Sequence, residues 1–278
     1  MKKLFCIILI ILSFNIFYCL EANALFGNTH FNLGKIMLEQ YNEKITEDNK
    51  KAFLSGLVYA DIGRFKFDNE TGINSDSEKF YQKIKELAVT SEEKWFAYGF
   101  EMHYHQDKDT GKFLTEIFGR KSSSYSEYIL DCSLIDSYFL TKNDGIYNDF
   151  LNKFNFECIN SQANIKELSD KFNVPEGKFN ELIIKILNQY SERQNKYTLV
   201  LYDELIRKTY QSFGFDISID DIHEQAANIV GSFIVTSSIA GKKDFSEDFA
   251  SKVKNTSTKF ANLYISKLKN NEKSINSI

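Results

Sequence analysis

Residues that break helices or staple folds are scarce in this chain. In 278 residues there are one proline, thirteen glycines and four cysteines. So few breakers argue against a turn-rich sandwich or barrel, whose tight turns draw on proline and glycine. Cysteine is too rare for a disulfide framework. Beyond the apolar N-terminal stretch only Cys132 and Cys158 remain, and these could form one bridge or stay as two buried thiols. An excess of positive charge is lacking too. The net charge is −4, which gives no sign of the basic surface that nucleic acid requires, so no specific nucleic-acid partner is expected. After the N-terminus no apolar run is long enough to span a bilayer. Histidine is rare as well, with four in the chain.

What is present is helix period. Apolar residues recur at three-and-four spacing over Leu33–Tyr41, Thr46–Ala60, Asp76–Leu87, Ser91–Gln106 and Ser123–Leu140. The pattern continues over Ile165–Phe172, Glu176–Tyr210, Ser218–Ala240 and Ser246–Leu268. These segments predict an all-α, multi-helix single domain over 25–278. Its parts are a metal-site half over about 25–140, a helical remainder over about 141–269 and a frayed tail over 270–278. Pro175 marks a turn between helices. At the N-terminus, Met1-Lys2-Lys3 is basic, Leu4–Ile16 is apolar, and Ala22-Asn23-Ala24 is an A-x-A cleavage pattern. Residues 1–24 therefore read as a signal peptide, giving a secreted, periplasmic or cell-surface protein. Lipid anchoring at Cys19 is the less favoured reading, because Tyr18 is bulky where a small residue is preferred.

Two of the four histidines fall in Trp95–Thr110, WFAYGFEMHYHQDKDT. There His103/Asp107 and His105/Asp109 are each four apart, one turn along a helix face. Imidazole with carboxylate is the donor set of zinc and similar cations. The two pairs point about 200° apart, so only one can face a core. His30 precedes the first apolar helix, Asp61 follows the second, and Glu127/Asp131 form another four-residue pair on an apolar helix. Each also has an ordinary structural reading. His30 could be a polar residue at a helix start, Asp61 a turn residue and Asp76 an N-cap. His105 and Asp109 are expected at solvated positions, and His223 at the polar start of a helix. Trp95, Phe96, Tyr98 and Phe100 read as core rather than as a lipid-facing patch.

In order, T-H (29–30), G-x-x-x-x-D-I (56–62) and F-x-x-G-x-x-x-H-Y-x-x-D-x-D-T (96–110) resemble the zinc-dependent phospholipase C family. That family includes the bacterial alpha-toxin type enzymes and shares its fold and metal arrangement with fungal single-strand nucleases. The likeness covers about Asn28 to Thr110. It implies His30, His103 and Asp107 as metal ligands, with Asp61 as a ligand that also holds the reacting water. The chain departs from the family in lacking further histidines before and after the central pair. Asp76, Glu127 and Asp131 are the nearest substitute ligands. An oxygen-richer set favours one or two ions rather than three, with zinc foremost and magnesium, manganese or calcium as alternatives. The expectation is a secreted, metal-dependent phosphodiester hydrolase of phospholipase C type. It would be a monomer acting on phospholipid or another phosphodiester, with peripheral membrane contact. The alternative is a non-catalytic secreted helical binding or surface protein that keeps a degenerate metal site.

Overall fold

A computed structural model describes residues 27–41, 44–64, 66–142, 202–226, 228–229 and 244–275. The expected signal peptide, Cys158, the Pro175 turn and the helix over 165–172 lie outside these residues. So do most of 176–210 and the second half of 218–240. The described residues are helices joined by turns, with no strand among them. The helices are α1 (Gly27–Gln40), α2 (Glu47–Tyr59), α3 (Phe67–Thr71), α4 (Glu78–Leu87) and α5 (Ser91–Phe118). They are followed by α6 (Tyr125–Lys142), α7 (Asp203–Ser212) and α8 (Glu247–Ile275), with a further helical run over 219–226. None of the described helices is long and apolar enough to cross a membrane.

Helix starts follow local chemistry. The Thr46 side chain accepts from Asn49 N at the start of α2, with Glu47 and Asp48 in the first turn against the positive end of the helix dipole. Thr90 and Glu93 form a reciprocal capping box on α5. Thr90→Ala removes the hydroxyl that accepts from Glu93 N at 3.1 Å. It is expected to cost about 1 kcal/mol, readable as a lower urea midpoint at unchanged slope.

Four boundaries differ from expectation, one of them at α7, which opens at Asp203 after non-helical Tyr202, inside the run expected over Glu176–Tyr210. α5 runs on past Gln106 to Phe118, because Phe113, Leu114 and Ile117 resume the buried stripe after the polar turn at 107–112. It ends at Gly119, which adopts the left-handed conformation at φ 69°. α1 begins at Gly27, ahead of its apolar run, and α8 continues to Ile275, into the expected tail.

The core is aromatic-rich. Trp95, Phe96, Tyr98 and Phe100 are all buried, and Phe80 and Tyr210 pack close beside Phe100 and Phe67 respectively. α2 and α5 lie backbone against backbone where Gly56 meets Gly99. A Cβ built on Gly99 would lie 3.0 Å from both Gly56 Cα and Leu57 N. This close crossing sets the depth at which α5 presents its inward side chains.

Candidate metal centre

Three elements bring four side chains to one point. α5 supplies His103 and Asp107, α1 supplies His30, and the turn after α2 supplies Asp61. His30 and His103 are fully buried and Asp61 and Asp107 nearly so. His30 Nε2 lies 3.1 Å from Asp107 Oδ1, and His103 Nε2 lies 3.4 Å from Asp107 Oδ2 and 3.6 Å from Asp61 Oδ1. The two imidazoles stack at 3.8 Å. His30, His103 and Asp107 each offer a ligand atom within 4.8 Å of the others, the spacing that a single cation spans.

Both rings are held with the same nitrogen inward. His30 Nδ1 lies 2.6 Å from Gln106 Oε1, and His103 Nδ1 lies 2.7 Å from the Leu57 carbonyl. Gln106 Oε1 and the Leu57 carbonyl oxygen can only accept, so each Nδ1 carries the proton. Each Nε2 is then the nitrogen turned to the cluster, the orientation that outer partners give metal-bound histidine. Sequence reasoning missed Gln106. Its one local signal is its place beside Asp107 on the same helix.

The N-terminus of α1 is secured by another residue the sequence did not single out. Asp136 on α6, fully buried, accepts from Thr29 N at 2.7 Å, Asn28 Nδ2 at 3.0 Å and Thr29 Oγ1 at 3.1 Å. A carboxylate at a helix N-terminus satisfies orphan donors and meets the dipole favourably. This explains why α1 can start in a buried polar turn, and it delivers His30 to the cluster.

The electrostatics are those of buried carboxylates and imidazoles that hold one another charged. Burial works to raise the Asp61 carboxyl, but Arg64 and then His103 outweigh it and hold it below its usual range. Burial likewise opposes ionisation of Asp107, and His103 and His30 overcome it, pulling Asp107 far down. His103 moves the opposite way. Burial disfavours its charged form, yet Asp107 and Asp61 raise it well above the usual imidazole value. Arg64 Nη1 lies 3.4 Å from Asp61 Oδ1, with the side chain 30 % exposed at the edge of the cluster. Asp61 Oδ2, His103 Nε2 and Gln106 Nε2 are buried and make no aligned hydrogen bond. Two inward Nε2 atoms beside a buried Asp61 oxygen that lacks a hydrogen bond fit a divalent cation, which would take the place of the proton on His103.

The remaining candidates divide. Asp76 is not the cap of α4; Ser77 is, accepting from Phe80 N. The Asp76 carboxyl instead turns inward with Oδ1 shielded from solvent, and burial and then Asp107 push it well above its usual range. It therefore joins the cluster. Glu127 and Asp131 are engaged elsewhere. Arg120 holds Asp131 through two nitrogens at 2.9 and 3.0 Å and reaches Glu127 at 2.9 Å. Ser122 and Ser123 complete their shells. His105 and Asp109 do face away from the cluster, but they are not solvated. Asp109 is buried beside Lys112 and Lys267, and half-buried His105 is lowered to about 4 by burial and then Lys267. His223 lies near the polar start of the helical run over 219–226, as expected, and from there pairs with Asp203 of α7, which also accepts from Tyr59 at 3.0 Å. Cys132 is buried.

A cavity of about 730 Å³ opens between the second half of α5 and the start of α6, lined by Lys108, Lys112, Lys121, Leu114, Tyr125 and Tyr128 among others. None of the cluster residues lines it. No protein-family profile, curated protein or solved structure matches the chain.

Proposed function

We propose that this chain is a metal-dependent phosphodiester hydrolase resembling the zinc-dependent phospholipase C enzymes. The observation that carries the reading is the convergence of His30, His103, Asp107 and Asp61, with both imidazole tautomers set toward the same point. His30, His103 and Asp107 would hold the cation, with Asp61 and Asp76 completing an oxygen-rich shell. One or two ions fit this donor set, zinc foremost and manganese, magnesium or calcium as alternatives. A divalent cation supplies charge for the phosphate oxygens and brings the pKa of water towards neutrality.

The chain's own groups do the rest. Asp61 Oδ2, buried and without a hydrogen bond, would accept the proton of an attacking water. Arg64 keeps Asp61 ionised and, being 30 % exposed at the edge of the cluster, would offer donors to a non-bridging phosphate oxygen. The leader-like N-terminus supports export, with phospholipid as the favoured substrate and peripheral membrane contact following from it.

The test is hydrolysis of a chromogenic phosphodiester and of phospholipid vesicles by zinc- or manganese-loaded protein. Asp61→Asn is expected to lose about 10²–10⁴-fold in turnover while still binding metal. Complete burial of both imidazoles favours a second reading, a closed structural cation site in a non-catalytic protein. Metal bound tightly, with no hydrolysis of lipid or nucleic-acid diesters, would select that alternative.

A further inference from the structure

We propose that Asp68 is the positioning residue of this centre: a closed ring of hydrogen bonds through it fixes the segment 61–76, which carries Asp61, Arg64 and Asp76. The inference rests on the metal-centre reading and extends it to how the shell is held in shape. Asp68 N donates to the Gly63 carbonyl at 2.8 Å, Gly63 N donates to Ser75 Oγ at 3.0 Å, and Ser75 N donates to Asp68 Oδ1 at 3.0 Å. Ser75 Oγ lies a further 3.5 Å from Asp68 Oδ2. Each of the three residues both gives and receives, so none can move alone. The ring closes two residues after Asp61 and one before Asp76. It therefore ties the two carboxylates to one another across a connection that would otherwise vary freely. Ordering such a connection at the moment of binding would subtract from metal affinity, whereas ordering it during folding does not.

The ring leaves no spare volume. A Cβ on Gly63 would fall onto the Asp68 carboxylate, 2.5 Å from the Tyr210 hydroxyl and 2.7 Å from Ser75 Oγ. Glycine is required there by close approach rather than by backbone angle. α7 and the helical run over 219–226 close over this segment. Tyr210 packs edge-on to Phe67 at 5.4 Å, and Lys66 reaches Asp221 at 2.7 Å. The titratable groups facing Asp68 are Asp61 and Arg64 from its own segment and Tyr210 from α7. An acid is retained here against a penalty. Burial raises Asp68 to about 6, although the Ser75 N–H and hydroxyl pull it back. A neutral amide would avoid that penalty and still accept from Ser75 N.

The sign of its pH effect follows. A carboxyl raised on folding contributes stability below its unfolded value, and that contribution is lost as pH rises through about 6. Asp68→Asn should therefore gain on the wild type in melting temperature between pH 4 and pH 7.

Zinc affinity and backbone exchange test the role directly. Asp68→Ala is expected to bind zinc about 10–100-fold more weakly, with Asp68→Asn recovering most of the loss. In the metal-free protein, Asp68→Ala should speed amide hydrogen exchange at Gly63 and Ser75 while α2 and α5 keep their protection. Wild-type zinc affinity and exchange in Asp68→Ala would overturn the proposal. So would a loss of protection spread equally over α2 and α5, which marks general destabilisation. A wild-type chain that binds no zinc would instead sink the metal-centre reading. The exchange result would still decide whether Asp68 fixes the segment.

Discussion

Metal-stripped protein titrated with zinc is expected to melt about 5–10 °C higher once free metal exceeds the dissociation constant a hundredfold. A ligand at that excess adds about 2.7 kcal/mol, and in a chain of this size each kcal/mol moves the midpoint by about 2–4 °C. His103→Ala should abolish the gain, because Nε2 of that ring faces both Asp61 and Asp107. The same substitution should weaken the metal-free protein by about 3–5 kcal/mol, since it leaves two buried carboxylates without the imidazole that lowers them. His105→Ala is the control. It removes a half-buried ring on the other face of the same helix and should leave the zinc response intact. Differential scanning fluorimetry with zinc, manganese and magnesium reads all three proteins. A wild-type midpoint that no metal moves would remove the basis for the centre.

The all-α class was legible because breakers are scarce and helical period dominates the chain. The four cluster residues were legible for a different reason. Rare histidines stood at helical spacing from carboxylates or at the head of an apolar helix. The supporting residues carried no such pattern. Gln106 acts on a ring 76 positions away and Asp136 on a backbone amide 107 positions away, so each is an isolated polar residue until the helices pack. The early start of α1 was hidden for the same reason, since its first turn is polar and is secured only by Asp136. Glu127 and Asp131 misled because a four-residue carboxylate pair looks the same whether its cation is a metal ion or a neighbouring guanidinium. Arg120, which decides the matter, sits just before the helix, outside the periodic pattern. Asp76 misled in the other direction, since its position next to Ser77 resembles a cap until Ser77 takes that role.

Gly99→Ala should be among the most damaging single-methyl additions among the described residues, costing about 3 kcal/mol and lowering the melting temperature by about 6–12 °C. The added Cβ would run into the Phe53 carbonyl oxygen and come within 3.0 Å of Gly56 Cα. These are backbone atoms of α2, which no rotamer change can move aside, so the two helices must separate. Separation reaches the centre directly, because the Leu57 carbonyl that fixes the His103 tautomer at 2.7 Å sits on α2 at this crossing. Zinc affinity should therefore fall along with stability. Gly111→Ala, on the same helix, should do the opposite. A Cβ there meets nothing within 4 Å, and alanine in a helix interior is worth about 0.5–1 kcal/mol over glycine. Opposite signs for one substitution at two positions of α5 would show that the glycine at the crossing serves close approach, while helix propensity alone governs the exposed one. Equal effects in urea unfolding would mean that the two helices are not in backbone contact, and the route from the crossing to His103 would fail with it.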